Sequence, residues 1–387
     1  MNDHIFQREQ EALRSTWTFL GLTIDLPRDN DWFRATLGGR SVFVQRFGDT
    51  ITGFENVCPH RFFPLRTTES GNGPVICGFH HWHFDRRGDA VGIPNCREVF
   101  GATPREVKAR LRPVEIATCG TLIFGRLDAA PDAESLENFL AGCADILTAF
   151  SRAPTHVQRF GRQVDANWRL MMQITLDDYH GVAVHKRPTN ARSSEFRYWR
   201  FGAHSAHVGR GDDTLASMAE ECRAGHHQPT GYRIFNIFPN LAMSIFHARP
   251  YWYVHIQQFV PLSATRSRWR CWTFAAPFPA IQETPISRLM RPLTEPFRAR
   301  LVRYSTERIG NEDHVACERL QEVAHQAGPH PLLGGQEERV GWFREAYENA
   351  LSAGLAKDPA VTIEGEKSHR SPEGLSLQPA AAAELTR

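Results

Sequence analysis

Cys58-Pro59-His60 and Cys77-Gly78-Phe79-His80 place two thiols and two imidazoles in the forms C-x-H and C-x-x-H, with sixteen residues between the pairs. That mixture suits a [2Fe–2S] cluster in which two Cys hold one iron and two His hold the other. Farther along, Asp177-Asp178-Tyr179-His180 runs on to Val184-His185. Two imidazoles and a nearby carboxylate begin a 2-His-1-carboxylate site for non-haem Fe(II), which leaves metal positions open for O₂. A carrier of single electrons beside an open iron points to oxygenase chemistry.

Cys₂His₂ is also a zinc ligand set, so a structural zinc stays open on these residues alone. Zinc sites more often keep like ligands paired, whereas each loop here brings one Cys and one His. In a two-iron cluster the loops can approach from opposite sides, thiolates on the inner iron and imidazoles on the outer one. His81 and His83 fall outside the motif and read as surface or packing histidines. Neither loop has an extra Cys for a bracing disulfide, which places the potential toward the lower end of a range of about −150 to +300 mV.

His180 and His185, five apart, sit about 140° from one another on an ideal helix. They meet only if the helix is distorted or ends near His185; Gly181 makes distortion cheap and Pro188 ends the helical reach. Asp177, three before His180, projects from the same side, and Asp178 points elsewhere. A third ligand has to be a distant carboxylate. Asn311-Glu312-Asp313-His314 reads as the opening of a helical stretch that continues through Glu318 and Gln321. Acids behind an Asn N-cap are also ordinary helix-end electrostatics.

The elements that must hold these groups differ along the chain. Residues 5–17 carry Ile5, Phe6, Leu13 and Trp17 among polar residues, as a short amphipathic helix does. Short β-like runs follow: Ser41–Gln45 and Ile51–Val57 flank the turn Gly48-Asp49, Val75-Ile76 leads into the second pair, and Arg87-Gly88-Asp89 turns into Ala90–Ile93. Both Cys/His pairs then lie at strand-to-loop junctions of an all-β unit. Asp128 to Glu134 reads as a linker. Beyond it Phe235–Asn240 and Tyr251–Ile256 look like strands, and 286–325 looks helical with Pro292 and Pro296 as interruptions. The aromatic residues between 232 and 259 read as strand core more than as a substrate surface. The expected division is a helical arm at 1–19, a β domain at 20–128, a linker at 129–135, an α+β domain at 136–350 and a disordered tail at 351–387.

A chain of 387 residues with 41% hydrophobic and 23% charged residues supports two or three packed domains. A formal charge of +2 argues against nucleic acid or an anionic membrane as partner. No run approaches the roughly 20 apolar residues of a membrane span. The polar N-terminus is unlike a secretory signal, and eight scattered Cys do not make a disulfide framework. A cytoplasmic location follows as an expectation.

Taken together, Asn56-Val57-Cys58-Pro59-His60-Arg61, Cys77-Gly78-Phe79-His80 with Trp82, Asn167-Trp168-Arg169, Asp177-x-Tyr179-His180-x₄-His185, Phe238-Pro239-Asn240 and Glu312-Asp313-x₄-Glu318 make the chain resemble the large (α) subunit of the Rieske non-haem iron aromatic-ring-hydroxylating oxygenases, from about residue 5 to about 325. The resemblance implies an α+β fold: an all-β Rieske [2Fe–2S] domain, then a helix-grip (START-like) catalytic domain whose antiparallel sheet wraps a long helix. It implies that Cys58, His60, Cys77 and His80 hold the cluster and that His180, His185 and Asp313 hold Fe(II). Asp177 would be a catalytic bridge, accepting a hydrogen bond from His80 of the next subunit in a head-to-tail homotrimer. A ligated histidine commonly donates its other N–H to a carboxylate in this way. The implied activity is hydroxylation of an aromatic or other small organic substrate by O₂. Electrons would come from NAD(P)H through a reductase, with a ferredoxin and a small β subunit as further partners. Three departures stand out: Gln173-Ile174 where the family often has Glu-Asn, Phe62 where it has Gly, and His81 where it has a small residue. Oxidative N- or O-dealkylation is the neighbouring reading within the class; a Rieske electron-transfer protein and a zinc-stabilised ligand-binding protein are the readings outside it.

Overall fold

The computed structural model describes residues 3–185, 197–209, 213–281, 283–328 and 331–355. The chain begins with helix α1 (Asp3–Ala12), a 3₁₀ turn at Leu13–Ser15, and strands β1 (Thr18–Leu22), β2 (Asp31–Leu37), β3 (Arg40–Phe47), β4 (Thr50–Glu55), β5 (Ser70–Asn72), β6 (Val75–Ile76), β7 (His83–Phe84) and β8 (Ala90–Gly92). Short helices α2 (Cys96–Phe100) and α3 (Pro104–Val107) precede β9 (Pro113–Cys119) and β10 (Leu122–Arg126). Seven of these strands form an antiparallel sheet in the order β1-β10-β9-β4-β3-β2-β5, and β6-β7-β8 make a small second one. Strand structure starts at Thr18, inside the range assigned to the helical arm, and the short helices α2 and α3 flank what is otherwise a β unit.

β3 shows how the sequence builds the sheet, because successive strand side chains alternate faces. Val42 and Val44 enter a core with Leu20, Phe33, Val114 and Ile123. Phe43, between them, enters another with Phe54, Trp82, Phe84 and the two thiols of Cys58 and Cys77. The pairing of Phe47 with Thr50 leaves Gly48-Asp49 as a two-residue turn, and Gly48 supplies the positive φ (59°) such a turn needs.

Helices α4 (Leu136–Phe139) and α5 (Ala144–Ser151) follow, then β11 (Thr155–Val164), α6 (Trp168–Ile174), α7 (Gly181–Val184), β12 (Tyr198–Phe201), β13 (His204–His207) and α8 (Leu215–Ala224). Strands β14 (Arg233–Ile237), β15 (Leu241–Ala248), β16 (Tyr251–Ser263) and β17 (Arg266–Ala275) lead into α9 (Pro285–Glu322) and α10 (Glu338–Leu355). A further seven-stranded antiparallel sheet runs β11-β17-β16-β15-β14-β13-β12. Phe235, Ile237, Met243, Ile245, Val254 and Ile256 turn one face toward Ile146 and Phe150 of α5 and Met218 of α8. Alternate residues, among them Ile234, Ala242, Trp269 and Cys271, meet Met171 of α6 and Cys317 of α9 on the other face.

α9 is a single helix of 38 residues, capped by the Thr284 hydroxyl on the Ser287 N–H with Pro285 in its first turn. Pro292 and Pro296, expected to interrupt it, lie inside it. Pro292 is exposed and Pro296 half-exposed, so water can reach the carbonyls that each ring leaves without a donor. Asn311 is therefore interior to α9 and does not open a helix. α10 continues to Leu355, past the expected start of the tail at 351; Pro188 and residues 356–387 lie outside the described residues. The two halves are joined by side chains of β16, β17 and the β14–β15 turn: Gln258 and Asn240 donate to the Phe19 carbonyl, and the Trp272 indole donates to Asp25. α1 is clasped as well, because buried Glu9 accepts from the Trp168 indole and the Tyr347 hydroxyl. Among the described residues no helix is long and apolar enough to cross a membrane.

Candidate metal centres

The two Cys/His loops are built alike. After β4, the Cys58 N–H donates to the Phe63 carbonyl and the Phe62 N–H returns to Cys58; after β6, Cys77 and Trp82, then His81 and Cys77, repeat the pattern. Each loop thus closes within six residues on its own backbone. The Asn56 side chain braces the first loop by accepting from the Arg66 N–H (2.7 Å) and donating to the Arg66 carbonyl (2.8 Å). Phe62 (φ 58°) and His81 (φ 56°) occupy the same corner of the two loops in the left-handed region. That conformation explains why a glycine or small residue suits these positions, a physical reason that the sequence pattern alone did not supply.

Cys58 and Cys77 are buried while His60 and His80 are half-exposed, so sulfur faces the core and nitrogen faces outward. Burial, with the Cys77 thiol beside it, pushes the Cys58 thiol up to about 11. His60 stacks on Trp82 with ring centroids 4.7 Å apart, and His80 lies 4.7 Å from His60. Among the described residues neither imidazole has a hydrogen-bond partner, which leaves ring nitrogens available to a metal. The donor chemistry therefore fits a [2Fe–2S] cluster. Four ligands of one zinc would crowd within about 4 Å of each other at bonds of about 2.0–2.3 Å. Among the described residues, a set that compact occurs at His180, His185 and Asp313 and not at these four.

That second set is assembled from two segments. α7 has only four residues, with His180 as its N-cap and His185 as its C-cap, so the 140° problem of a longer helix does not arise. The two Nε2 atoms lie 3.3 Å apart. Asp313, on α9, brings Oδ1 to 3.3 Å from the first and 3.2 Å from the second. Cis ligands at bonds of about 2.1 Å stand about 3.0 Å apart, so the three fit one face of a coordination sphere. Asp313 Oδ1 is buried yet makes no hydrogen bond of acceptable geometry, an orphaned acceptor that a cation would satisfy. Burial would lower the His180 pKa, but the Asp177 and Asp313 carboxylates prevail and raise it to about 10. The site is electrostatically prepared for positive charge.

The partners of these ligands divide by segment. Glu312 Oε2 sits 3.0 Å from His185 Nδ1, the carboxylate support typical of a ligating histidine. Asp177 Oδ1 accepts from the Tyr179 (2.7 Å) and His180 (3.2 Å) N–H groups; its Oδ2 is 3.6 Å from His180 Nδ1, too long for a hydrogen bond but close enough to act by charge. Glu318 and Gln321 do not reach the site: they accept from Arg162 and the Asn167 N–H and fix α9 against β11 and α6. Gly310, one turn before Asp313, lets α9 press on Trp269, whose ring would lie 2.5 Å from an added Cβ. His81 and His83 are exposed.

A cavity of about 450 Å³ opens beside His180, His185 and Asp313. Ile174, Phe246, Val302 and Ile309 give it apolar wall, and Ser244, His255 and Gln257 give it a polar one. Ile174 is the residue that stands where the family often has Asn, so that departure makes the wall next to the metal set apolar. Burial holds His255 down to about 4, so it stays neutral near pH 7. Of the aromatic residues between 232 and 259, Tyr232 and Phe246 line the cavity while Phe235 and Phe259 are core. A larger cleft of about 840 Å³ lies between the β2–β5 edge and β11–β17, and none of the candidate ligands lines it.

Residues 16–109 match the family model of the Rieske [2Fe-2S] domain, and residues 150–353 match that of the ring hydroxylating alpha subunit (catalytic domain). The large oxygenase component of salicylate 5-hydroxylase from Ralstonia sp is 30% identical over 216 residues, covering 51% of this chain and 49% of that protein. The match thus spans about half the length of that curated relative. Naphthalene 1,2-dioxygenase from Rhodococcus sp. superposes with a TM-score of 0.69 at 20% identity, covering 92% of this chain and 93% of the other. The quaternary ammonium Rieske monooxygenase CntA follows with 0.66 at 17% identity, covering 90% and 92%. These likenesses establish the fold, a Rieske domain joined to a catalytic domain of helices on an antiparallel sheet. The chain belongs to the ring-hydroxylating alpha subunit family, with a Rieske [2Fe–2S] domain ahead of a catalytic domain of the kind that binds mononuclear iron.

Proposed function

We propose that this chain is the terminal oxygenase component of a Rieske non-haem iron system that hydroxylates a small, mainly apolar organic substrate. Cys58, His60, Cys77 and His80 hold the [2Fe–2S] cluster, and His180, His185 and Asp313 hold Fe(II). When bound, these groups supply single electrons and an O₂-activating metal. The observation that carries the reading is the triangle of three ligand atoms, each within 3.3 Å of the others, opening on a cavity.

The chain's own residues do the rest. Glu312 fixes the ring of His185, and Asp177 holds the turn from which His180 projects. Ile174, Phe246, Val302 and Ile309 seat an apolar ring and exclude water beside the metal set. Asp177 also accepts a hydrogen bond from His80 of a neighbouring copy in a homotrimer, which orients both histidines. Supporting this is the half-exposed position of both groups in one chain. A reductase, directly or through a ferredoxin, delivers electrons from NAD(P)H, and the protein works in the cytoplasm. The first domain runs from β1 to about 128 and the second from about 136 into α10.

The test is turnover with NAD(P)H, a reductase and a panel of aromatic acids, amines and anilides under isotopically labelled O₂. Label in a hydroxylated product is expected. Loss of an N- or O-alkyl group instead would assign oxidative dealkylation, and uncoupled electron use without product across the panel would count against oxygenation of these classes.

A further inference from the structure

Asp178 stands in sequence between the bridge residue Asp177 and the ligand His180, and its carboxylate is engaged by His207 and Arg339. The segment 176–179 belongs to no helix or strand, lying between α6 and α7. Among the described residues, the hydrogen bonds that tie 176–179 to distant parts of the chain all end on Asp178. Its N–H donates to the Gln336 carbonyl (3.3 Å), and its Oδ2 accepts from His207 Nδ1 (3.0 Å) and Arg339 Nη2 (2.9 Å). Arg339 is a fully buried cation on α10, 0% exposed, which also donates to Asn236 Oδ1 (3.0 Å). Asn236 in turn donates to Thr175 Oγ1 (2.7 Å), at the C-cap of α6. The circuit Thr175–Asn236–Arg339–Asp178 therefore grips the segment at both ends and fastens it to β14 and α10.

We infer that Asp178, Arg339 and His207 are positioning residues that set where the segment carrying Asp177 and His180 stands relative to Asp313. The inference rests on the iron-site reading above. A charge-assisted, buried contact is stiff, and its two ends are far apart in sequence. α9 carries Asp313 independently, so the metal triangle closes only if the segment is held from its own side. Shifting His180 by a few tenths of an ångström would spoil a triangle whose sides are 3.2–3.3 Å.

The experiment uses the full chain with its cluster loaded and the mononuclear site emptied, dialysed to equilibrium against Fe(II) without oxygen. Arg339→Met is expected to weaken Fe(II) binding by about tenfold and to lower the thermal midpoint, with the visible cluster spectrum unchanged. The double variant Asp178→Asn/Arg339→Met no longer strands a buried charge, so its thermal midpoint recovers toward that of the parent. Its Fe(II) affinity stays low, because the fastening has not been restored. Asp178→Asn alone, which keeps the shape, covers the case in which Arg339→Met does not fold, and it is expected to lose affinity severalfold. Parent-like affinity in the single variants, or recovery of affinity together with stability in the double variant, would overturn the inference and leave the network as scaffold. His180→Ala serves as the parallel control: if it binds Fe(II) like the parent, the iron-site reading fails and not the anchor.

Discussion

The two candidate metal-ligand sets differ in how far the chain travels to make them. Cys58 and Cys77 each sit in a loop closed by hydrogen bonds within six residues, braced on one continuous core with Phe43 and Trp82. His185 meets its carboxylate partner Glu312 across 127 positions, and Asp313 follows directly on the same helix. The first set is a local conformation and the second is a tertiary one. The local set should survive disturbance elsewhere, whereas the tertiary set depends on the placement of α9 and of the segment before α7.

Removing a ligand from the tertiary set is the strongest way to break that comparison. His180→Ala, His185→Ala and Asp313→Ala are each expected to lose the mononuclear iron and to reduce turnover by orders of magnitude. Metal analysis with visible spectroscopy checks this, since the cluster spectrum should remain. Loss of both signals together would mean that the two sites are not independent. Asp177→Asn comes next. Both metals are expected to stay bound and the cluster to remain reducible, while turnover falls by orders of magnitude because the charge-assisted contact to a neighbouring copy is weakened. Loss of mononuclear iron would instead make Asp177 a ligand, and sedimentation showing a fully active monomer would remove the neighbouring copy from the scheme.

A matched pair of glycines sharpens the contrast. An added Cβ at Gly310 would sit 2.5 Å from the Trp269 ring, whereas at Gly78, inside the C-x-x-H loop, the nearest atom is 3.4 Å away. Gly310→Ala is expected to cost about 1–3 kcal/mol and to lower mononuclear iron content by displacing α9. Gly78→Ala is expected to stay within about 0.5 kcal/mol and to keep a normal cluster spectrum. Thermal unfolding and metal analysis read both, and equal effects would erase the distinction.

The same division explains what the sequence disclosed. The candidate cluster ligands stood out because their motifs are local, and the hairpin of β3 and β4 beside them followed from alternation and its turn. The His180/His185 pair was visible as chemistry but awkward as geometry, since an ideal helix separates the two; a four-residue helix with a histidine at each end resolves it. Asp313 came from family resemblance, because Glu312, Asp313 and Glu318 look alike along a helix until the partners of each are known. The Asp178–Arg339 contact, 161 positions apart, had no local signature at all. Pro292 and Pro296 misled for a different reason: proline weakens a helix, but an exposed helix surface lets water satisfy what the ring cannot.

A small effect of opposite sign is expected at the corners of the two loops. Phe62 is 78% exposed in a left-handed conformation, so Phe62→Gly relieves about 1 kcal/mol of backbone strain, partly offset by glycine's greater freedom in the unfolded chain. A thermal midpoint unchanged or raised by about a degree is expected, with an unaltered cluster spectrum; a clear fall would show that the Phe62 ring itself supports the loop.

The existence of two different metal centres is tested most directly by metal and acid-labile sulfide analysis of the purified chain, read with its visible spectrum. The expected result is a red-brown protein with about three irons and about two sulfides per chain, falling by about one iron, with no loss of sulfide, in His180→Ala. A colourless protein with stoichiometric zinc and no sulfide would contradict it.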